Sequence, residues 1–117
     1  MYKDVKYLEH IFSEFQYISS NISSQEISSV EFLKDETLQR AVVRSLEIIG
    51  EATKNVSSEL KERNDHINWK TMAGMRDRLI HGYMSVDYEL VWEVSNKNIP
   101  QLKIKLEKLI SRVKQDL

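Results

Sequence analysis

Arg76, Asp77, Arg78, His81 and Tyr83 crowd into one short stretch, Gly74-Met75-Arg76-Asp77-Arg78-Leu79-Ile80-His81-Gly82-Tyr83. These side chains suit cleavage of a phosphodiester chain that carries its own nucleophile. In RNA the 2′-hydroxyl attacks the adjacent phosphorus, provided that its proton is removed and the extra negative charge is stabilised. An imidazole titrates near pH ~6.5, so His81 can take or give a proton around neutrality. The planar fork of Arg76 matches a pair of phosphate oxygens and the charged transition state. The leaving 5′-oxygen also needs a proton, and one histidine supplies only half of that cycle. Two copies of the chain meeting across a two-fold axis would supply both halves.

A plainer reading fits the same spacing: a basic helix end closed by Gly82, with Arg76 and Arg78 in surface ion pairs. On a helix Arg76 and His81 would stand about 140° apart and flank a cleft. Tyr83 would return to the arginine's face if the helical path persisted through Gly82. Further back, Arg40, Arg44, Glu47 and Glu51 share one helix face. That stripe is either a solvated charge cluster or the wall of the cleft, with Arg44 reaching RNA; Arg78 is a second candidate RNA contact. His10 and His66 are isolated and read as surface or partly buried residues. Trp69, Met72, Met75 and Leu79 recur at helical spacing and read as core.

Composition narrows the chemistry further. The 117 residues contain no Cys, which removes disulfides, thiolate metal sites and a cysteine nucleophile. The sequence has no Gly-rich phosphate loop, no His-x-x-x-His pair, no paired-aspartate metal motif and no Gly-x-Ser-x-Gly elbow, so neither a metal nor a cofactor is expected. Net charge is −1, so any hold on RNA must come from a local patch. The charge is uneven. Lys3 and Lys6 face five acidic residues within positions 1–31, whereas Lys103, Lys105, Lys108, Arg112 and Lys114 outnumber Glu107 and Asp116 in positions 101–117. The basic tail reads first as a helix C-terminus complementing its macrodipole.

Helices must position these groups, because 3 Gly and 1 Pro are too few for a turn-rich β fold. Val5, Leu8, Phe12, Phe15, Ile18 and Ile22 mark a long first helix, followed by a Ser-rich loop at 19–29. A second long helix runs from an Asp35 N-cap to about Val56, with Leu38, Val42, Leu46, Ile49 and Thr53 inward. A short turn follows Ser57, and a third substantial helix spans roughly Asn68 to Ile80, stopped by Gly82. Asp87 caps a segment through Val94, and Pro100 either kinks or restarts the last helix, whose apolar side is Leu102, Leu106, Leu109, Ile110 and Val113. The expectation is one all-α domain over residues 1–117, a compact bundle of about five helices. A core this small makes dimerisation through a helical face plausible. No apolar run approaches the ~20 residues that cross a bilayer, and the N-terminus lacks a signal-like core, so a cytoplasmic protein is expected.

Arg76-x4-His81-x-Tyr83 resembles the R-x4-H-x-Y signature of HepT-like toxins, members of the HEPN superfamily of small helical ribonucleases. Arg40 to Ala52 resembles the family's second conserved helix, and Ile67-Asn68-Trp69 leading into Gly74-Met75-Arg76 resembles its approach to the motif. Val86 to Trp92 and Ile99-Pro100-Gln101-Leu102 resemble its closing segments, so the likeness covers roughly residues 1–115. The resemblance implies a HEPN-like fold and a homodimer that brings two motifs together. It also implies a metal-independent endoribonuclease acting as the toxin of a type II-like toxin–antitoxin system, with tRNA or mRNA as substrate. Arg76 and His81 take the positions of the catalytic pair. Tyr83 takes that of the tyrosine onto which a minimal nucleotidyltransferase antitoxin transfers AMP. Asp77 stands where the superfamily often has Asn, placing a carboxylate beside the phosphate-binding arginine. The alternative is a non-catalytic helical docking partner of such a nucleotidyltransferase.

Overall fold

Apolar side chains at three- and four-residue steps turn the first twenty residues into one inward stripe, and helix α1 (Tyr2–Asn21) follows it. In the computed structural model residues 2–81 and 85–117 are described, Ile80 and His81 by their backbone alone. Leu8, Ile11, Phe15 and Ile18 of α1 are wholly buried. Phe12, expected in that stripe, sits on its flank instead, where the Lys103 ammonium lies 5.9 Å from its ring centre.

The Ser-rich stretch is less of a loop than expected. Helix α1 persists to Asn21, whose side-chain amide donates to the Tyr17 carbonyl at 2.8 Å. After a turn in which Glu26 adopts φ 53°, a second helix, α2 (Ser29–Lys34), begins. Its start is written in the sequence as Ser28-x-x-Glu31: the Glu31 N–H donates to the Ser28 hydroxyl, and the Ser28 N–H donates to the Glu31 carboxylate. Phe32 anchors it in the core.

Helix α3 (Glu36–Asn55) starts at the expected Asp35 cap, which accepts from the Leu38 N–H at 3.0 Å. It packs antiparallel along α1, burying Val42, Leu46, Ile49 and Thr53. The far end of that pairing is tied by Asp4. Its buried carboxylate accepts from the Ser57 N–H (2.8 Å) and the Ser57 hydroxyl (2.7 Å), and Ser57 in turn caps α4 (Ser58–Arg63).

The expected third helix is broken in two. Helix α5 (Trp69–Ala73), capped by Asn68, closes at Gly74, and α6 (Met75–Leu79) restarts from the Gly74 carbonyl, which accepts from the Arg78 N–H. Helical geometry then ends at Leu79, before the expected stop at Gly82, a residue outside those described. The Leu79 carbonyl accepts from the Asp87 N–H at 3.0 Å, and the backbone of β1 (Ile80–His81) pairs antiparallel with β2 (Ser85–Val86). Among the described residues this two-residue ladder is the one strand pairing in an otherwise all-α, HEPN-like fold.

Helix α7 (Tyr88–Glu93) passes through a π-helical turn, Val94–Asn98, into α8 (Ile99–Gln115). Pro100 explains the turn: its ring cannot sit against the carbonyl of an ordinary helix four residues back. The wider turn, in which the Ile99 N–H donates to the Val94 carbonyl, relieves that clash. Leu106, Leu109 and Val113 bring α8 onto α1.

The position of α5 and α6 depends on Gly50. A Cβ at this α3 position would stand 3.2 Å from the Ala73 carbonyl oxygen, a backbone atom that cannot swing away. Gly50→Val is expected to destabilise the fold by about 1–3 kcal/mol through overpacking. Gly50→Ala should stay within about 1 kcal/mol, because helix propensity offsets the tighter contact. Denaturant unfolding of the two variants reads the difference.

Candidate active site

Residues two apart on a helix point about 200° from one another, so the single turn of α6 sends its two arginines to opposite sides. Arg76 faces α1 and α3. There it lines a groove of about 420 Å³ with Tyr7 and His10 of α1 and Arg44, Glu47 and Glu51 of α3. Its guanidinium Nε lies 3.6 Å from Glu47 Oε2, and its Nη1 donates to Asp77 Oδ1 at 3.3 Å. The Arg76 side chain is 47% exposed. Pairs this wet are each worth no more than ~1 kcal/mol. They hold the guanidinium in place without closing it to an incoming phosphate.

Of the charged stripe on α3, Arg44, Glu47 and Glu51 reach this groove. Arg40 does not: it pairs with Glu36 at 2.7 Å in solvent. The stripe is thus divided between the two readings, with Arg40 paired to Glu36 in solvent and Glu47 paired to the motif arginine in the groove. Arg78 enters a separate cavity of about 200 Å³ bounded by Thr71, Met75, Val94, Gln101 and Lys105, and has no ion partner among the described residues.

His81 stands in extended backbone opposite Ser85. The 140° separation expected from a continuous helix therefore does not apply, because the chain leaves helical geometry two residues earlier. Tyr83, the expected AMP acceptor, lies outside the described residues. Trp69, Met72, Met75 and Leu79 are buried, as their spacing predicts. Trp69 fixes the approach to the motif by donating its indole N–H to the Asn64 carbonyl at 3.0 Å. Among the described residues no group of three His, Asp or Glu is arranged to hold a metal ion. No helix among them is long and apolar enough to cross a membrane.

His10 reads as an isolated residue in the sequence, yet the groove brings it in. Its neighbours in the chain give no chemical hint. The usable signal is position: three residues after Tyr7, on the edge of the α1 stripe that meets α3.

Residues 6–109 match the family model described as Ribonuclease HepT-like. The chain belongs to that family. A candidate RNase of Caldanaerobacter subterraneus is 44% identical over 108 residues, which is 92% of this chain and 95% of that protein. A protein of Thermococcus cleftensis named "Probable ribonuclease HepT" is 45% identical over 103 residues, 88% of this chain and 92% of its own. A candidate RNase of Methanocaldococcus jannaschii is 38% identical over 112 residues, 95% and 91% of the two chains. No solved structure matches. RNA cleavage is thus the activity that the HepT-like family as a whole supports.

In this HepT-like chain the Asp77 carboxylate occupies one edge of the Arg76 guanidinium. Asp77→Asn should lower the KM for an RNA substrate several-fold while leaving the melting temperature within ~1 °C, since the pair it removes is exposed. Steady-state cleavage and a thermal melt together check it.

Proposed function

We propose that the protein is a metal-independent endoribonuclease, the toxin of a type II-like toxin–antitoxin pair, acting as one HepT-like domain over residues 1–117. The observation that carries the reading is the seating of Arg76 in an open groove beside Arg44, five residues before His81, in a chain of a ribonuclease family.

Arg76 binds two oxygens of the scissile phosphate and holds the charge that grows on them. His81 removes the 2′-hydroxyl proton, the 2′-oxygen forms its bond to phosphorus, and the bond from phosphorus to the 5′-oxygen breaks. The leaving oxygen takes its proton from the His81 of a second copy across a two-fold axis, so the site is complete only in a homodimer. Arg44 and Arg78 contact flanking phosphates of an mRNA or tRNA.

Silencing follows from the same arrangement. A minimal nucleotidyltransferase antitoxin directs the Tyr83 hydroxyl onto the α-phosphorus of ATP; the phenolic proton is lost and pyrophosphate leaves. The resulting AMP phosphate, two residues past His81, competes with substrate for Arg76 by charge and by volume. This all takes place in the cytoplasm, where the RNA is.

His81→Ala should lower RNA cleavage at least ~10²-fold with dimerisation retained. Unchanged cleavage would remove His81 from catalysis, whereas no cleavage by the parent protein would favour the docking-partner reading. Tyr83→Phe should cleave like the parent protein yet gain no AMP mass when incubated with the nucleotidyltransferase and ATP. Intact mass of both proteins reads the difference, and AMP on the Phe variant would place the acceptor elsewhere.

A further inference from the structure

The groove that holds Arg76 is close to electrically balanced, with Arg44 and Arg76 set against Glu47 and Glu51. It can orient a phosphate but supplies little long-range attraction for a polyanion, and the chain as a whole is slightly acidic. The surplus positive charge lies elsewhere, on α8.

That surplus divides into two sets. Lys114 pairs with Glu9 at 2.8 Å, and Lys103 lies over Phe12, so both are engaged in seating α8 on α1. Lys105, Lys108 and Arg112 recur at three- and four-residue steps on a different face, and none has an ion partner among the described residues. Arg112 reaches only the Asn64 side-chain oxygen, at 3.5 Å. The macrodipole does not account for this set, because Lys105 and Lys108 sit in the body of Ile99–Gln115 and the dipole acts within the last turn.

These residues line an open groove of about 750 Å³ with His66, Ile104 and Ser111; Glu107 is its one acid. Lys105 also lines the smaller cavity that contains Arg78. The two spaces therefore adjoin at Lys105, and a row of cations runs from Arg112 through Lys108 and Lys105 to Arg78, on the opposite side of the α6 turn from Arg76. Exposed Ile104 offers an apolar floor between the charges.

We propose that this α8 groove is the binding track for the RNA backbone, delivering the strand past Arg78 to the motif. The inference rests on the ribonuclease reading for its ligand. The track supplies affinity, and the Arg76 groove supplies chemistry.

The test uses the full chain and a fluorescent 2′-O-methyl oligoribonucleotide, which lacks the attacking hydroxyl and so reports binding without cleavage. Two double variants remove equal charge from the same helix: Lys105→Gln with Lys108→Gln in the groove, and Lys103→Gln with Lys114→Gln outside it. At about 0.1 M salt the groove pair should weaken binding roughly tenfold or more and reduce the slope of log affinity against log salt by about 1.4, at ~0.7 for each phosphate no longer neutralised. The outer pair should stay within about twofold. Equal losses in both variants would reduce the effect to bulk charge and overturn the track, as would no loss in either, or no binding by the parent protein. Failure of the ribonuclease reading shows separately, as an uncleaved natural RNA with oligonucleotide binding intact.

Discussion

The Ala73 carbonyl can come within 3.2 Å of a Cβ position on α3 because residue 50 has no Cβ. Much of the site hangs on that backbone-to-backbone approach. It sets the end of α5, hence where Gly74 breaks the helix, hence the direction of the single turn that carries Arg76 and Arg78. A glycine inside a twenty-residue helix costs about 1 kcal/mol of helix propensity. The fold offsets this with a motif turn packed directly against the longest apolar seam, where Leu46 and Ile49 meet α1.

The same seam explains how two distant stretches of sequence form one groove. Asp4 bonded to Ser57 fixes α1 antiparallel to α3, so residues near position 7 on one helix meet residues near position 52 on the other. The polar edges of both helices then line a common trough, and Arg76 sits at its rim against Glu47. Its contacts with Glu47 and Asp77 are too exposed to stabilise the fold appreciably. Their consequence is positional: the arginine is oriented by partners that an incoming phosphate can displace.

Much of this was legible in the sequence, and the failures have identifiable causes. The stripes of α1, α3 and α8 and the caps at Asp35 and Asp87 could be read from residue type and spacing, and the family from the resemblance of the Arg76-x4-His81-x-Tyr83 motif. The α2 helix was also encoded, by Ser28-x-x-Glu31, but the surrounding serines read as loop because a Ser-rich stretch carries little apolar signal. The end of the motif helix was not encoded locally. Gly82 looks like a stop, yet the helix ends at Leu79, whose carbonyl is taken by the Asp87 N–H eight residues on. A tertiary hydrogen bond of that kind leaves no mark in the periodicity. His10 is exposed, as its isolation suggests, and its place beside Arg76 was not legible for a similar reason: membership of a groove is a property of helix pairing, and no single helix reveals it.

Net charge was the least informative quantity, because it sums over faces that do different things. The five cations of the last segment look like one basic tail in sequence. In space one pairs with Glu9, one lies on an aromatic ring, and three line an open groove with no ion partner among the described residues. Cations at such spacing repel one another, so a row of them on one face destabilises the isolated protein slightly. A polyanion laid along that face reverses the sign. In the proposed reading, holding a strand is thereby separated from cutting it: α8 carries the unspent charge, and the balanced groove at Arg76 carries the chemistry.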